Sequence, residues 1–112
     1  MIDSYEFGRI VINGKRYDSD LIVFFDKVRS GWWRKEGHRL HVEDLKDVLE
    51  VKPEVLVVGT GYSGLMAVPS ETRKYVESEG IELMAQKTTE ACETFNRLIK
   101  SRKVVAALHL TC

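Results

Sequence analysis

The second half of the chain alternates between strand-like and helix-like segments, and this alternation limits the possible folds more than any other feature. Short apolar runs of strand type at 55–58, 81–85 and 104–110 are separated by segments of helical spacing at 69–79 and 88–99. Strands joined by helices through short connections form parallel sheets with right-handed crossovers. We therefore expect a βαβαβ unit with three parallel strands.

The first of these helices has recognisable ends. Pro69 suits the first helical turn and Gly80 suits a stop just beyond the last one. Between them, Tyr75 and Val76 are expected to face the interior.

The second helix begins with two hydroxyl residues. Thr88 or Thr89 is expected to cap it, because a side-chain oxygen can accept from the free amides of the first turn. Its apolar stripe consists of Ala91, Cys92, Phe95, Leu98 and Ile99.

The first half of the chain has strand character. Asn13 and Gly14 separate two short apolar-rich segments, and this dipeptide favours a two-residue hairpin turn with positive φ. The run 21–25 is short, apolar and rich in β-branched and aromatic residues, which predicts a buried strand. We expect Trp32, Trp33 and the stretch 38–41 to continue this meander.

A change of period follows. Apolar residues at helical spacing predict a short helix over 43–51, which Pro53 ends. The whole chain, 1–112, is thus expected to form a single α/β domain, with an N-terminal β-hairpin or meander half joined to a C-terminal βαβαβ half with parallel strands.

Composition excludes several classes of protein. With 44% hydrophobic and 30% charged residues the chain has the make-up of a soluble globular domain. Its 17 basic residues balance 17 acidic ones, so no overall charge attracts it to nucleic acid or to an anionic membrane. No apolar run reaches the length of a membrane span, no signal peptide is visible, and two cysteines suit a reducing compartment. We expect a cytoplasmic protein.

A glycine-rich loop follows the strand at 55–58. Gly59, Gly61 and Gly64 match the G-x-G-x-x-G pattern of dinucleotide-binding loops. However, four residues separate the third glycine from Pro69, and 85–87 offers no acidic residue for a ribose. The serine of the loop also lacks the glycine that a nucleophile elbow needs two places later. A tight connection that uses positive φ is the simplest interpretation.

The same loop supports an alternative hypothesis, a small-anion or ligand site. Ligands of parallel α/β sheets bind beyond the carboxyl ends of the strands, and helix N-termini attract anions. The residues that would form this site are Gly59, Gly61, Tyr62, Ser63, Lys87, Thr88 and Thr89.

Adjacent tryptophans are the second unusual feature. In a strand, Trp32 and Trp33 would point to opposite faces, so one would be in the core and the other on the surface. The surface tryptophan, together with Arg34, is a candidate for a protein–protein interface, because Trp and Arg dominate binding hot spots. Stacking on single-stranded nucleic acid is a weaker alternative, given the zero net charge.

The basic residues are unevenly distributed. The segment 26–41 carries five basic and two acidic residues, and 97–103 carries four basic residues and no acidic one. Whether the two segments form one patch is open at this level. Cations at the end of the second helix also complement its dipole. No spacing of Cys and His residues predicts a metal site, and no cofactor is expected.

Three motifs resemble a known family. They are Glu-Val-Leu-Val-Val-Gly-Thr-Gly at 54–61, Thr-Thr-Glu-Ala at 88–91 with Phe-Asn-Arg-Leu at 95–98, and the closing segment 102–109. In their order and spacing they are similar to the Mth-type domain family. Its relatives include the human adipogenesis-associated Mth-domain-containing protein and the mitochondrial complex I assembly factor three. This chain looks like an archaeal, single-domain form.

The resemblance implies a three-layer α/β domain without an established enzymatic activity or cofactor. The eukaryotic relatives imply assembly or protein-interaction roles. The family pattern also marks Gly59, Gly61, Thr89 and Asn96 as residues that shape a site. Asn96, at the edge of the apolar stripe, would hold a neighbouring segment by hydrogen bonds or line a pocket.

Together these features predict a non-enzymatic interaction or assembly module that binds a protein partner or a second copy of itself. The alternative is a small-anion or metabolite-binding protein, or an enzyme without a recognisable motif, that uses 59–64 and 87–89. Nucleic acid and membrane are not expected partners.

Overall fold

A computed structural model describes all 112 residues. It contains eight strands, three α-helices and one turn of 3-10 helix. The strands are β1 (Ile2–Glu6), β2 (Arg9–Ile12), β3 (Lys15–Tyr17), β4 (Leu21–Val23), β5 (Val28–Ser30), β6 (Val55–Thr60), β7 (Glu82–Gln86) and β8 (Val104–His109). The helices are α1 (Lys46–Val51), which continues the 3-10 turn Val42–Leu45, α2 (Ser70–Ser78) and α3 (Thr88–Leu98).

The predicted βαβαβ unit forms the centre of the molecule. The main sheet has the order β5-β4-β8-β6-β7, with β6 parallel to both β7 and β8. The connection through α2 leads from β6 to its neighbour, and the connection through α3 returns past β6 to β8. Because right-handed crossovers in opposite directions place their helices on opposite faces, α2 and α3 cover different sides of the sheet.

Two hydrophobic clusters fill the space on either side of this sheet. In β6, Val55 and Val57 face the cluster beneath α3, while Leu56 and Val58 face the cluster beneath α1 and α2. The small antiparallel sheet β1-β2-β3 packs beside α3 and completes that layer through Ile10 and its neighbours. The expected three-layer α/β architecture is confirmed.

The hairpin turn at Asn13 and Gly14 is also confirmed. Both residues have positive φ, 50° and 81°, and they join the paired strands β2 and β3. The predicted strand at 21–25 is shorter than expected. It ends at Val23 because the Phe24 amide donates to the Lys27 carbonyl at 2.8 Å and turns the chain into β5.

The prediction that 32–33 and 38–41 continue the meander is wrong. These residues form a loop, with only the isolated bridges Glu36–Arg39 and Arg39–Ala67 as β pairing, and it is held to the rest of the fold by hydrogen bonds such as that from the Leu40 amide to the Ala67 carbonyl at 2.9 Å. Gly31, with φ of 71°, turns the chain out of β5, and Trp32 then packs into the core on the α1 and α2 side.

Two predictions about helix faces also need correction. Val76 is fully buried, but Tyr75 is 47% exposed, because it lies about 100° round α2 from the inward-facing Val76. At the start of α3 the N-cap residue is Lys87, and Thr88 is the first helical residue rather than a cap.

No helix in this fold has the length and apolar character that crossing a lipid bilayer requires.

Phe95 is a direct test of the packing on the α3 side. It is 3% exposed and joins α3 to the main sheet. Replacement by alanine should lower the free energy of unfolding by about 3–5 kcal/mol through lost burial and a residual cavity. Urea denaturation followed by tryptophan fluorescence measures this. Tyr75→Ala, the matched control on exposed α2, should lose less than about 1 kcal/mol, and an equal loss in both variants would contradict this packing.

Candidate functional site

The glycine loop 59–64 packs against the chain that follows β8. The Tyr62 amide donates to the Thr111 carbonyl at 2.7 Å, and the Leu65 amide donates to the Cys112 carbonyl at 3.0 Å. On the other side, the Gly8 amide donates to the Leu110 carbonyl at 2.8 Å. Residues 110–112, which we call the closing segment, are therefore held between the glycine loop and the turn from β1 to β2.

Gly61 is required by this contact. It has φ of +110°, and a Cβ atom there would lie 2.3 Å from the backbone carbon of Cys112. Any side chain would both strain the backbone and displace the closing segment. The expected tight connection with positive φ is confirmed at this residue.

Gly59 allows the loop to approach α3. A Cβ atom there would lie 2.8 Å from Thr88 Oγ1 and 2.9 Å from Leu108 Cδ2. The buried Thr88 hydroxyl accepts from the Gly61 amide at 2.9 Å and donates to the His109 carbonyl at 2.6 Å. One hydroxyl thus joins the glycine loop, α3 and the end of β8.

The loop amides are therefore engaged inside the protein. The Gly61, Tyr62 and Leu65 amides donate as described, the Gly64 amide donates to the Gly61 carbonyl, and the Thr88 amide also donates to that carbonyl at 3.1 Å. A phosphate cradle needs such amides free and directed outward. The small-anion hypothesis at 59–64 and 87–89 stays a prediction, and it has few donors left to use.

The other residues of that hypothesis lie on the surface. Tyr62, Ser63, Lys87 and Thr89 are exposed near the carboxyl ends of β6 and β7. Lys87 packs its stem against Gly64, since a Cβ atom on Gly64 would lie 3.2 Å from Lys87 Cγ.

Asn96 belongs to a different part of the molecule. It lies eight residues, about 12 Å, along α3 from Thr88. Its side-chain carbonyl accepts from the Ile2 amide and its amide group donates to the Ile2 carbonyl, both at 2.8 Å. Asn96 therefore holds β1 by hydrogen bonds and is not brought together with the glycine loop.

A buried charge cluster lies beside the closing segment, and sequence reasoning missed it. Because β4 is antiparallel to β8, Asp20, just before β4, comes to lie next to His109 and Leu110. Asp20 Oδ2 is 2.7 Å from His109 Nδ1 and 2.8 Å from Arg34 Nη1, and its Oδ1 accepts from the Leu110 amide at 2.7 Å.

Burial makes this cluster energetically important. The side chains of Arg34 and His109 are only 4% and 6% exposed. Arg34 also donates to the Gly37 carbonyl at 2.9 Å and stacks 4.7 Å from the Trp32 ring. The structure thus places the Arg34 side chain in the interior, next to the surface where the sequence analysis expected a contact.

The charges determine the protonation of the cluster. Burial alone would raise the pKa of the Asp20 carboxyl, but hydrogen bonds from His109, from the Leu110 amide and from Arg34 hold the pKa below its ordinary value of 3.8. Because an ionised carboxylate only accepts hydrogen bonds, the bond at 2.7 Å between Asp20 and His109 places a proton on Nδ1, which then cannot accept from Arg34 Nη2 at 3.1 Å. His109 Nε2 is buried and has no hydrogen-bond partner.

One tryptophan lies in the core and the other on the surface, the arrangement that the sequence analysis expected. Trp32 is 8% exposed and its Nε1 donates to the Asp44 carbonyl at 3.0 Å. Trp33 is 87% exposed, the largest value among the large hydrophobic side chains. Trp32 is thus part of the core, and Trp33 alone of the proposed interaction residues 32–34 is available on the surface.

Two further titratable groups near the core have raised pKa values. Burial raises the pKa of the Cys92 thiol to about 12 and that of the Tyr5 hydroxyl to about 12. The Tyr5 hydroxyl donates to the Leu110 carbonyl at 2.7 Å, which adds a further tie to the closing segment. His38 and His41, which are three residues apart in the sequence, contact different partners. His41 lies within hydrogen-bond distance of Glu36, and His38 packs edge-on against His109.

Fold and site together define a small α/β domain with a closed glycine loop and a buried Asp-Arg-His cluster. Residues 2–109 match the family model described as a protein of unknown function (DUF498/DUF598), and the chain belongs to this family. The resemblance to the Mth-type domain family and to complex I assembly factor three is thereby confirmed.

Named relatives and a solved structure agree with this assignment. The chain is 32% identical over 109 residues to the human protein named NADH dehydrogenase (ubiquinone) 1 alpha subcomplex assembly factor 3, and 28% identical to the protein of that name from Xenopus tropicalis. The match covers 95% of this chain and 58% of each relative, so the chain spans less than two thirds of their length. A conserved hypothetical protein from Pyrococcus horikoshii is 28% identical, with a TM-score of 0.88 over 100% of this chain and 99% of that one.

Gly61→Ala tests the contact between the glycine loop and the closing segment. We expect a loss of about 2–5 kcal/mol in the free energy of unfolding, from positive-φ strain and the forced displacement of Cys112. Gly80→Ala is the control, because Gly80 also has positive φ, +81°, but its added Cβ would meet no atom within 4 Å. Its loss should be about 1–2 kcal/mol. Similar losses in the two variants, measured by urea denaturation, would argue against the contact.

The lowered pKa of Asp20 predicts a dependence of stability on pH. The unfolded chain binds a proton at Asp20 more readily than the folded chain does. The stability that ionised Asp20 contributes is therefore fully present above the ordinary pKa of 3.8, and it is lost as the pH falls through the lowered pKa of the folded state. Asp20→Asn should cost about 3–5 kcal/mol at pH 6, because it leaves the buried Arg34 guanidinium without its carboxylate partner. The difference from wild type should shrink as the pH falls towards 3.

Asp26→Asn serves as the control for this measurement, because Asp26 is exposed and forms no ion pair. It should leave the free energy of unfolding within about 0.5 kcal/mol of wild type at pH 6. A wild-type to Asp20→Asn difference that stays constant from pH 6 to pH 3 would show that the carboxylate of Asp20 does not stabilise the fold.

Proposed function

We propose that this chain is a non-enzymatic protein-interaction module that takes part in the assembly of a larger protein complex, and that Trp33 is the centre of its binding surface. The observation that supports this most strongly is the 87% exposure of Trp33 next to a rigid, buried cluster. An exposed tryptophan on a fixed support has the properties of a binding hot spot, since little conformational entropy is lost when it is covered.

Three other exposed apolar side chains lie around the closing segment, to which Trp33 is linked only through Arg34 and Asp20. Phe7 is 55% exposed, Tyr62 53% and Leu65 57%, and the rings of Phe7 and Tyr62 meet edge to face with centroids 6.0 Å apart. Phe7 precedes the Gly8 amide bonded to Leu110, and Tyr62 and Leu65 bond directly to residues 111 and 112. We call these three residues and Trp33 the aromatic end surface. Clustered exposed aromatics of this kind mark protein-binding sites more often than single ones do.

The internal hydrogen bonds explain how this surface keeps its shape. Trp33 is followed directly by Arg34, whose guanidinium is fixed by Asp20. Tyr62 is fixed by the hydrogen bond from its backbone amide to the Thr111 carbonyl. Both anchors converge on the closing segment. The surface therefore needs no ordering on binding, which favours affinity.

The relatives supply the type of role. Those from human and Xenopus tropicalis carry the name of an assembly factor, and assembly factors act by binding other proteins. We extend that role to this chain as a binding module for a protein partner or a second copy, without assigning the respiratory complex. A cytoplasmic location is part of the same proposal, because both cysteines are unpaired and suit a reducing compartment.

The small-anion alternative has less support, because the amides that would form its cradle donate to the chain itself. Asp20 and Arg34 border a cleft of about 290 Å³ next to Trp33, but the side chains of Arg34 and His109 are themselves covered, which leaves no exposed base for catalysis.

Trp33→Ala tests the proposal. A complex of the chain with its partner is first isolated from the producing cells by gentle affinity capture, the partner is identified, and the pair is reconstituted from purified components. We expect Trp33→Ala to raise the dissociation constant about thirtyfold, the effect of losing a hot spot worth about 2 kcal/mol. Its free energy of unfolding should change by less than about 0.5 kcal/mol, since the side chain is exposed.

Tyr75→Ala on α2 is the matched control, as an exposed aromatic far from the closing segment, and should bind as wild type does. If the partner is a second copy, sedimentation equilibrium should show the same loss of association in Trp33→Ala. Unchanged binding in Trp33→Ala, or a monomer that associates with nothing, would contradict the proposal.

A further inference from the structure

A second feature lies at the end of the molecule away from the closing segment. A cleft of about 850 Å³ opens between the turn from β2 to β3, the turn from β4 to β5 and the end of α3. These are the amino ends of the parallel strands, whereas the aromatic end surface lies at their carboxyl ends. The cleft therefore shares no residue with the proposed protein-binding surface.

Apolar side chains make up the floor of the cleft, and polar groups complete its lining. Ten of its 16 lining residues are hydrophobic. Its base reaches core side chains of three elements, Val23 of β4, Phe95 of α3 and Val104 of β8, which are between 1% and 5% exposed. Ile99 and Val28, partly buried, continue this base outward. Its volume is within the range of small-molecule sites, which are concave and mostly apolar with a few polar groups.

The rim of the cleft is basic. Lys15, Lys27, Arg102 and Lys103 line it, against a single acidic residue, Asp26. Arg102 is paired with carboxylates outside the cleft, those of Glu54 and Glu82. The three lysines are exposed and form no ion pair; Lys15 and Lys27 lie over the rings of Tyr17 and Phe24, at 5.4 Å and 5.6 Å from the centroids. The cleft thus has an excess of uncompensated positive charge.

The two basic sequence segments, 26–41 and 97–103, both contribute residues to this rim. Lys27 comes from the segment 26–41, and Arg102 and Lys103 come from 97–103. They meet at the cleft, although Arg29 bonds to Asp47 and Arg34 is buried with Asp20 elsewhere. A helix dipole could explain the basic residues of 97–103. It does not explain why Lys27, from the segment 26–41, lies at the same rim.

We propose that the cleft binds a single-chain amphipathic anion, with its apolar body on the floor formed by Val23, Phe95 and Val104 and its anionic head at Lys15, Lys27 and Lys103. Charge complementarity selects an anion, and the apolar floor selects a ligand with a hydrocarbon or aromatic body. A carboxylate and a phosphate ester share this chemistry. The concave shape favours such a ligand over a protein surface, which would require a larger and flatter area.

The test is a titration of the whole chain followed by amide chemical shifts. The probes are dodecanoate and dodecyl phosphate, each below its micelle concentration, and the uncharged dodecanol below its solubility limit. We expect one molecule of an anionic probe to bind, with shifts at residues 24–28 and 99–104 and none at 59–64. Dodecanol should bind at least fivefold more weakly than the better anion, and the ratio of the two anions distinguishes a carboxylate head from a phosphate head.

Variants isolate the contribution of the rim. Lys27→Gln combined with Lys103→Gln should weaken binding of the anionic probe by about fivefold or more, the effect of losing two partly exposed ion pairs. Lys46→Gln combined with Lys74→Gln removes the same charge from the α1 and α2 side, where both lysines are exposed and unpaired. That control should bind as wild type does. All four positions are exposed, so folding should be unchanged, and thermal unfolding verifies this.

Several results would overturn the proposal. They are no saturable binding of either anion, equal binding of dodecanol and the anions, equal losses in the two double variants, or shifts located outside the cleft. A concentration-dependent dimer that shifts 24–28 and 99–104 without any probe would also overturn it, because the cleft would then be an interface between copies. Loss of partner binding in Trp33→Ala has no bearing on these outcomes, so the two proposals fail separately.

Discussion

The carboxylate of Asp20 is the interaction on which the functional end of this molecule depends. It accepts from His109 at the end of β8, from the Leu110 amide in the closing segment, and pairs with Arg34 in the loop after β5. Three chain segments that are distant in sequence are thus fixed by one ionised group. In a buried setting the loss of one partner of such a group is costly, because it leaves the other charge unpaired.

The rest of the closed end follows from that geometry. With β8 and the closing segment in place, the carbonyls of residues 110–112 are available to Gly8, Tyr62 and Leu65. Glycine at positions 59 and 61 allows this close approach, and Thr88 links the loop to α3. A loop with the pattern of a nucleotide-binding motif therefore serves, in this chain, to hold its own backbone. The exposed aromatic residues are presented on the outside of that rigid end.

Much of the fold could be predicted from sequence, because the information is local. The βαβαβ order, the hairpin at Asn13 and Gly14, and the core stripe of α3 each follow from periodicity or turn chemistry within a few residues. The prediction failed at 31–41, where a strand-like composition instead forms a loop. Its conformation is set by the distant pair Arg34 and Asp20, and no local pattern encodes this. The prediction that Tyr75 faces the interior failed for a related reason, since apolar character alone does not determine which side of a short helix a residue faces.

The candidate sites differ in the same way. One buried and one exposed tryptophan were expected from strand alternation and are found although 32–33 form a loop, whereas the Asp20–Arg34–His109 cluster joins positions up to 89 apart in the chain. The most direct test of a preformed binding end is hydrogen–deuterium exchange of the chain alone and in complex with its isolated partner. We predict that 60–66 and 110–112 are already protected in the free chain, and that the complex adds protection at 31–37 and 60–66 but not at 24–28. Unprotected 60–66 in the free chain, or new protection confined to other regions, would contradict the model of a rigid aromatic binding surface.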